Sequence, residues 1–122
     1  MTTRCLPPEE WPRLAGTELE AVWPHLRPAH QATVLVVEDG EAIVGCWLLL
    51  TLAHCEGVWV APTHRGKGSV ARRLLAAMRR EVQQRGFATV LTGAMTPDVE
   101  RIIRGLGGHP LPGAQYVLPF GA

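Results

Sequence analysis

Cysteine is scarce in this chain of 122 residues: Cys5, Cys46 and Cys55 are odd in number and none stands in a C-x-x-C pair. That excludes a disulfide framework and leads us to expect reduced thiols in a cytoplasmic protein. Metal ligands are equally thin, because His25 and His30 have no further ligands at matching spacing; no metal is expected. Long apolar runs are missing too. The longest, Ala42 to Ala53, reads as a strand and falls short of the roughly 20 residues needed to cross a bilayer. No apolar stretch follows Arg4, so no signal peptide and no membrane partner are expected. Lysine occurs once, as Lys67, and tyrosine once, as Tyr116. Repeats and low-complexity segments do not occur. What remains is a chain with 47% hydrophobic residues, long enough for one core and too short for two, which points to a single domain over residues 1–122.

The net charge is only +1, but its distribution is uneven. Up to Glu56 there are three basic residues against eight acidic ones; from Gly57 onward there are nine against three. Most of the positive charge lies between Arg65 and Arg85, where the distal arginines read as a solvated helix face. Nucleic acid is not the expected partner, because aromatic residues do not interleave with this charge and the pI is near 7.8.

The basic segment begins with the most informative stretch of the chain, Val58-Trp59-Val60-Ala61-Pro62-Thr63-His64-Arg65-Gly66-Lys67-Gly68-Ser69-Val70. An apolar, β-branched run stops at Pro62, turns through two glycines and restarts with helical spacing. In the helix, Ala71, Leu75, Met78 and Val82 fall on one face. A helix start presents unpartnered N–H groups and partial positive charge. Gly66 and Gly68 allow close approach of a ligand, and Arg65 and Lys67 add full charges. The combination suits a phosphate group, while an ordinary exposed turn is the plainer alternative. It is not a Walker loop, and Ala71 stands where a dinucleotide fingerprint needs its third glycine.

Other elements follow from local signals. Thr2 to Leu6 reads as an edge strand, and Pro7-Pro8-Glu9-Glu10-Trp11 starts a helix. Glu18 to Leu26 reads as a second short helix limited by Pro24 and Pro28. Thr33–Glu38, the turn Asp39-Gly40, Glu41 to about Leu50 and His54–Ala61 predict a three-stranded antiparallel meander. Gly45 and Gly57 mark places for a bulge or close backbone approach. The helix from Ser69 ends near Arg85-Gly86, and Phe87–Gly93 predicts a buried strand parallel to the one before that helix. Pro97–Leu106 predicts a helix closed by Gly107-Gly108, and His109–Phe120 a last strand or hairpin.

The segment Val58-Trp59-Val60-x-Pro62-x-x-Arg65-Gly66-Lys67-Gly68 resembles motif A of the GCN5-related N-acetyltransferase (GNAT) family, whose signature is Arg/Gln-x-x-Gly-x-Gly/Ala after such a strand. Val70 departs from the Gly or Ala preferred there. The element order, strand, two helices, three strands, helix, strand, helix, strand, is also similar to that family's. The resemblance implies an α/β (α+β) acyl-CoA N-acyltransferase fold: a mixed, mostly antiparallel sheet with helices on both faces. It further implies acetyl-CoA as cosubstrate, its diphosphate held by Arg65, Gly66, Lys67, Gly68, Ser69 and Val70, and its pantetheine arm laid along Val58, Trp59 and Val60. A bulge in the strand that opens the sheet for the thioester falls on Gly57.

Acetyl transfer to an amine needs a deprotonated nitrogen, so a carboxylate or histidine beside that strand is the natural base. Glu56 is the first candidate and His54 the second, with a plain strand-edge charge as the alternative for Glu56. The Val60 amide suits the developing oxyanion. Relatives often place a thiol-protonating tyrosine on the last helix; here Ile103 occupies that position and Asp98 roughly that of the family's asparagine. Tyr116 is then the one tyrosine able to serve. The expected function is N-acetyl transfer by direct attack of an amine-bearing small molecule or peptide on acetyl-CoA, in a monomer or homodimer. A non-catalytic binding or assembly module on the same fold is the alternative.

Overall fold

The computed structural model describes residues 1–66 and 68–121. Strands β1 (Thr2–Leu6), β2 (Thr33–Asp39) and β3 (Ala42–Leu49) form an antiparallel sheet with β2 in the middle. Cross-strand register puts Leu6 and Leu48 opposite Val34, and Arg4 and Cys46 opposite Val36, all on one face. A 3₁₀ helix, Pro8–Leu14, lies over that face and drops Leu14 into it. Pro12 inside this segment has no N–H and crowds the preceding turn, which holds the segment in 3₁₀ rather than α geometry. Leu6, Leu14, Val34 and Val36 are buried together, with Trp11, Leu19, Trp23, Ile43 and Leu48 packed round them. The Trp11 indole donates to the Leu6 carbonyl at 3.1 Å. On the other face Leu35 and Trp47 sit opposite each other and both are exposed, as is Leu49.

The β2–β3 hairpin turns through Gly40-Glu41, one residue later than the expected Asp39-Gly40, and Gly40 takes a φ of 62° that favours glycine. Register slips between Val37 and Glu38, so Val44 is the extra residue of a β-bulge next to Gly45, one of the two glycines read as bulge markers.

Glu38 ends the buried face of β2 and is only 8% exposed. It survives there because two arginines reach it: Arg4 Nε donates to Oε1, and Arg13 Nη2 to Oε2 at 2.8 Å. Glu10 closes the cluster with contacts of 3.0 Å to Arg4 and 2.8 Å to Arg13. The hydrogen bond from Arg4, then that from Arg13, lowers the Glu38 pKa from 4.5 to about 2. A carboxylate with a depressed folded-state pKa stabilises the fold fully above its unfolded pKa and loses that contribution as pH falls towards the folded value. The melting temperature is therefore expected to fall on acidification from about pH 4.5 to about pH 2. Glu38→Gln is expected to melt lower than wild type at pH 7 and to lose less over that interval.

Four expectations need correction. Glu18–Leu26 is not a regular helix but successive tight turns, including Glu20 N–H to Thr17 O at 3.1 Å and His25 N–H to Val22 O at 3.0 Å, with 3₁₀ geometry over Trp23–His25. Pro24 withholds the amide an α-helix needs there. The segment His54–Ala61 does not complete a meander with β3. Strand β4 is His54–Cys55, and it pairs with β5 (Leu91–Thr92) in parallel, as expected from the crossover. The backbone is diverted before and after it: Thr51 N–H donates to His30 O at 2.7 Å, Leu91 N–H takes the Ala53 carbonyl at 2.9 Å, and Gly57 adopts a φ of 73°. β5 is shorter and more exposed than the buried strand expected over Phe87–Gly93. Finally, His109–Phe120 forms no strand among the described residues, and Tyr116, Val117 and Phe120 are all more than 80% exposed.

The two α-helices among the described residues match their sequence signals closely. α1 (Ser69–Gln84) closes with Gly86 N–H on Gln83 O at 3.0 Å and Phe87 N–H on Val82 O at 3.1 Å, with Gly86 at a φ of 85°. α2 (Pro97–Gly105) repeats the device, with Gly107 N–H on Arg104 O at 3.0 Å and Gly108 N–H on Ile103 O at 2.9 Å. A side chain at Gly108 would collide with the Ile103 side chain, so the second glycine is needed for close approach.

Candidate active site

Strand β4, the following extended segment and α1 bring the basic loop to one side of an open cleft of about 340 Å³. Val60, His64, Arg65, Gly68, Ala71 and Arg72 line it from the loop and the first turn of α1. Arg101, Ile102, Gly105 and Leu106 face them from α2. Val60 is buried, and its carbonyl accepts from Arg65 Nε at 2.8 Å, which fixes the guanidinium at the mouth of the loop. A 3₁₀ turn, Pro62–His64, connects the two.

Gly68 caps α1 at a φ of 66°, a left-handed conformation that glycine adopts without strain. Its carbonyl takes the Arg72 amide at 3.1 Å. Among the described residues no side chain caps the amides at the start of α1, whereas at α2 the Thr96 hydroxyl accepts from the Val99 amide at 3.3 Å. One helix start is closed by its own sequence, and the other is left open towards a basic cleft. An anion there gains hydrogen bonds and dipole attraction together.

Of the residues singled out by sequence, Val60, Arg65 and Gly68 line the cleft. Val70 is half-buried and not part of the lining; Gly66 and Ser69 are exposed beside it; Val58 is half-buried and Trp59 exposed on the approach. Lys67 lies outside the described residues. His54 and Glu56 pair with each other, Nε2 to Oε1 at 2.7 Å, on the surface just before Gly57 and outside the cleft lining. Tyr116 sits in the exposed tail, likewise outside it. Sequence reasoning passed over Arg72 and Arg101. Arg72 carried a usable signal: helical side chains lean towards the N-terminus, so a residue one turn past Gly68 covers the helix start. Arg101 carried none, since only the tertiary fold brings α2 opposite the loop. Among the described residues no group of His, Cys, Asp or Glu is arranged to hold a metal. No helix among them is long and apolar enough to cross a membrane.

Residues 2–102 match the sequence model of the Acetyltransferase (GNAT) family, and the chain belongs to that family. No curated protein matches it. Similar solved structures include a ribosomal-protein-alanine N-acetyltransferase from Brucella melitensis biovar Abortus 2308, 18% identical over 98% of this chain and 100% of that one, with a TM-score of 0.44. Another is an aminoglycoside N-acetyltransferase in complex with CoA, 15% identical over 97% of this chain and 98% of that one, with a TM-score of 0.47.

Proposed function

We propose that this chain, as one domain, is an acetyl-CoA-dependent N-acetyltransferase that passes the acetyl group directly to an amine. The observation that carries this reading is the uncapped start of α1 facing a cleft walled by arginines, in a member of the acetyltransferase family. Bound acetyl-CoA supplies an activated thioester; everything else falls to the chain. Arg65 and the amides of Ser69 and Val70 hold the diphosphate, with Gly66 and Gly68 beside them; Lys67 is assigned to the same role by its sequence position alone. Val58, Trp59 and Val60 offer backbone to the pantetheine arm, and the Val60 amide serves the oxyanion. Glu56 takes the proton from the incoming ammonium, and His54, 2.7 Å away, passes it to solvent. Three free thiols suit a cytoplasmic setting.

The second reading, a binding module without turnover, draws on α2. Ile103 stands where a proton donor to the departing thiolate is expected, and its side chain packs against Gly108. A thiol of pKa ~8.5 leaves without such a donor at modest cost, which favours turnover. Calorimetric titration with acetyl-CoA, coupled to a free-thiol assay over a panel of amines, separates the readings. Heat of binding with thiol release is expected for wild type, and weaker binding for Gly68→Ala, whose new side chain is strained at that φ and faces the Arg72 guanidinium. Binding without release for any amine selects the module; no heat and no thermal shift at millimolar ligand ends both.

A further inference from the structure

The cleft holds more positive charge than a diphosphate requires. Arg65, Arg72 and Arg101 all line it, and no carboxylate does. A diphosphate diester carries two negative charges; the helix start offers about half a positive charge together with its amides, and Arg65 adds a full one. Arg72 is placed differently. It sits one turn into α1, folds back so that its guanidinium lies 3.6 Å from where a Gly68 side chain would begin, and makes no ion pair among the described residues. Arg101 approaches from the opposite wall. Among the described residues its one partner is Asp98, at 3.3 Å through a single nitrogen, and its side chain is 79% exposed, leaving the rest of the guanidinium fork open. Two guanidiniums facing one concave space repel each other unless an anion lies between them. A phosphate monoester, carrying about −1.5 to −2 charges near neutral pH and three acceptor oxygens, suits such a pair.

We infer that Arg72 and Arg101 form a second anion subsite, which reads the 3′-phosphate monoester on the ribose of coenzyme A and makes the cleft selective for the phosphorylated nucleotide. This rests on the coenzyme A reading of the cleft. Arg65 and the α1 amides set affinity for the diphosphate common to coenzyme A and its dephospho form; Arg72 and Arg101 set the ratio between the two.

The test measures binding of coenzyme A and dephospho-coenzyme A by calorimetry to the full chain and to Arg72→Gln, Arg101→Gln and Arg104→Gln. Arg104 pairs with Glu100 and does not line the cleft, so it controls for the loss of one charge. Coenzyme A is expected to bind wild type about tenfold or more tightly than the dephospho form, in line with charge-assisted hydrogen bonds to a phosphate. Arg72→Gln and Arg101→Gln are expected to shrink that ratio to about threefold or less, with dephospho-coenzyme A affinity nearly unchanged, while Arg104→Gln keeps it. Equal affinities for the two ligands in wild type overturn the subsite and leave the proposed function standing. So does a ratio that survives both cleft substitutions. Failure of both ligands to bind wild type overturns the subsite together with the reading beneath it.

Discussion

Glu56→Gln is expected to lower kcat for acetyl transfer by about 10²–10⁴ while leaving the KM for acetyl-CoA nearly unchanged. The split follows from where the residue sits. Glu56 is outside the cleft lining and is not among the residues proposed to grip the cofactor. Glutamine keeps the shape and can still meet His54 Nε2, at 2.7 Å in the native pair, but it cannot accept a proton from an ammonium. The measurement is steady-state thiol release at pH 7 with whichever amine supports turnover. His54→Gln is expected to have the smaller effect, because water replaces it as an exit for the proton. Unchanged kcat in Glu56→Gln would remove the base from this residue without touching the proposed diphosphate site.

Leu14→Ala is expected to cost about 2–5 kcal/mol of folding stability, the range for truncating a fully buried leucine. Leu14 is 0% exposed and plugs the space between the sheet and the segment that carries Trp11, Leu19 and Trp23. Pro12 and the positive-φ Gly16 on either side limit how far the backbone can settle into the hole. For a domain of this size the loss corresponds to a drop in melting temperature of about 10–20 °C. Leu74→Ala, on α1 and 44% exposed, is the matched control and is expected to move the melting temperature by no more than about 3 °C. Thermal melts followed by circular dichroism read both.

The elements legible in the sequence are those decided by neighbours along the chain. β1 begins and ends where expected, Thr2 to Leu6, and the hairpin is misplaced by a single residue. Both α-helices stop at the glycines that sequence marks, because a left-handed residue after the last turn is a local requirement that few side chains meet. Legibility fails where competition between partners decides. Thr51 can pair with a returning strand or with the His30 carbonyl, and sequence does not rank the two. Glu38 looks like an ordinary solvent-facing residue near a turn until Arg4, 34 positions earlier, and Arg13, 25 positions earlier, converge on it. The site divides along the same line. Arg65 and Gly68 were readable from their spacing, whereas the opposing wall came from α2, which no local rule ties to the loop.

The buried cluster draws on nothing beyond Leu48. As the polypeptide leaves the ribosome, every side chain of that cluster therefore emerges ahead of the basic loop. A nascent intermediate can collapse early around β2, and the candidate cleft is added afterwards to a body already formed.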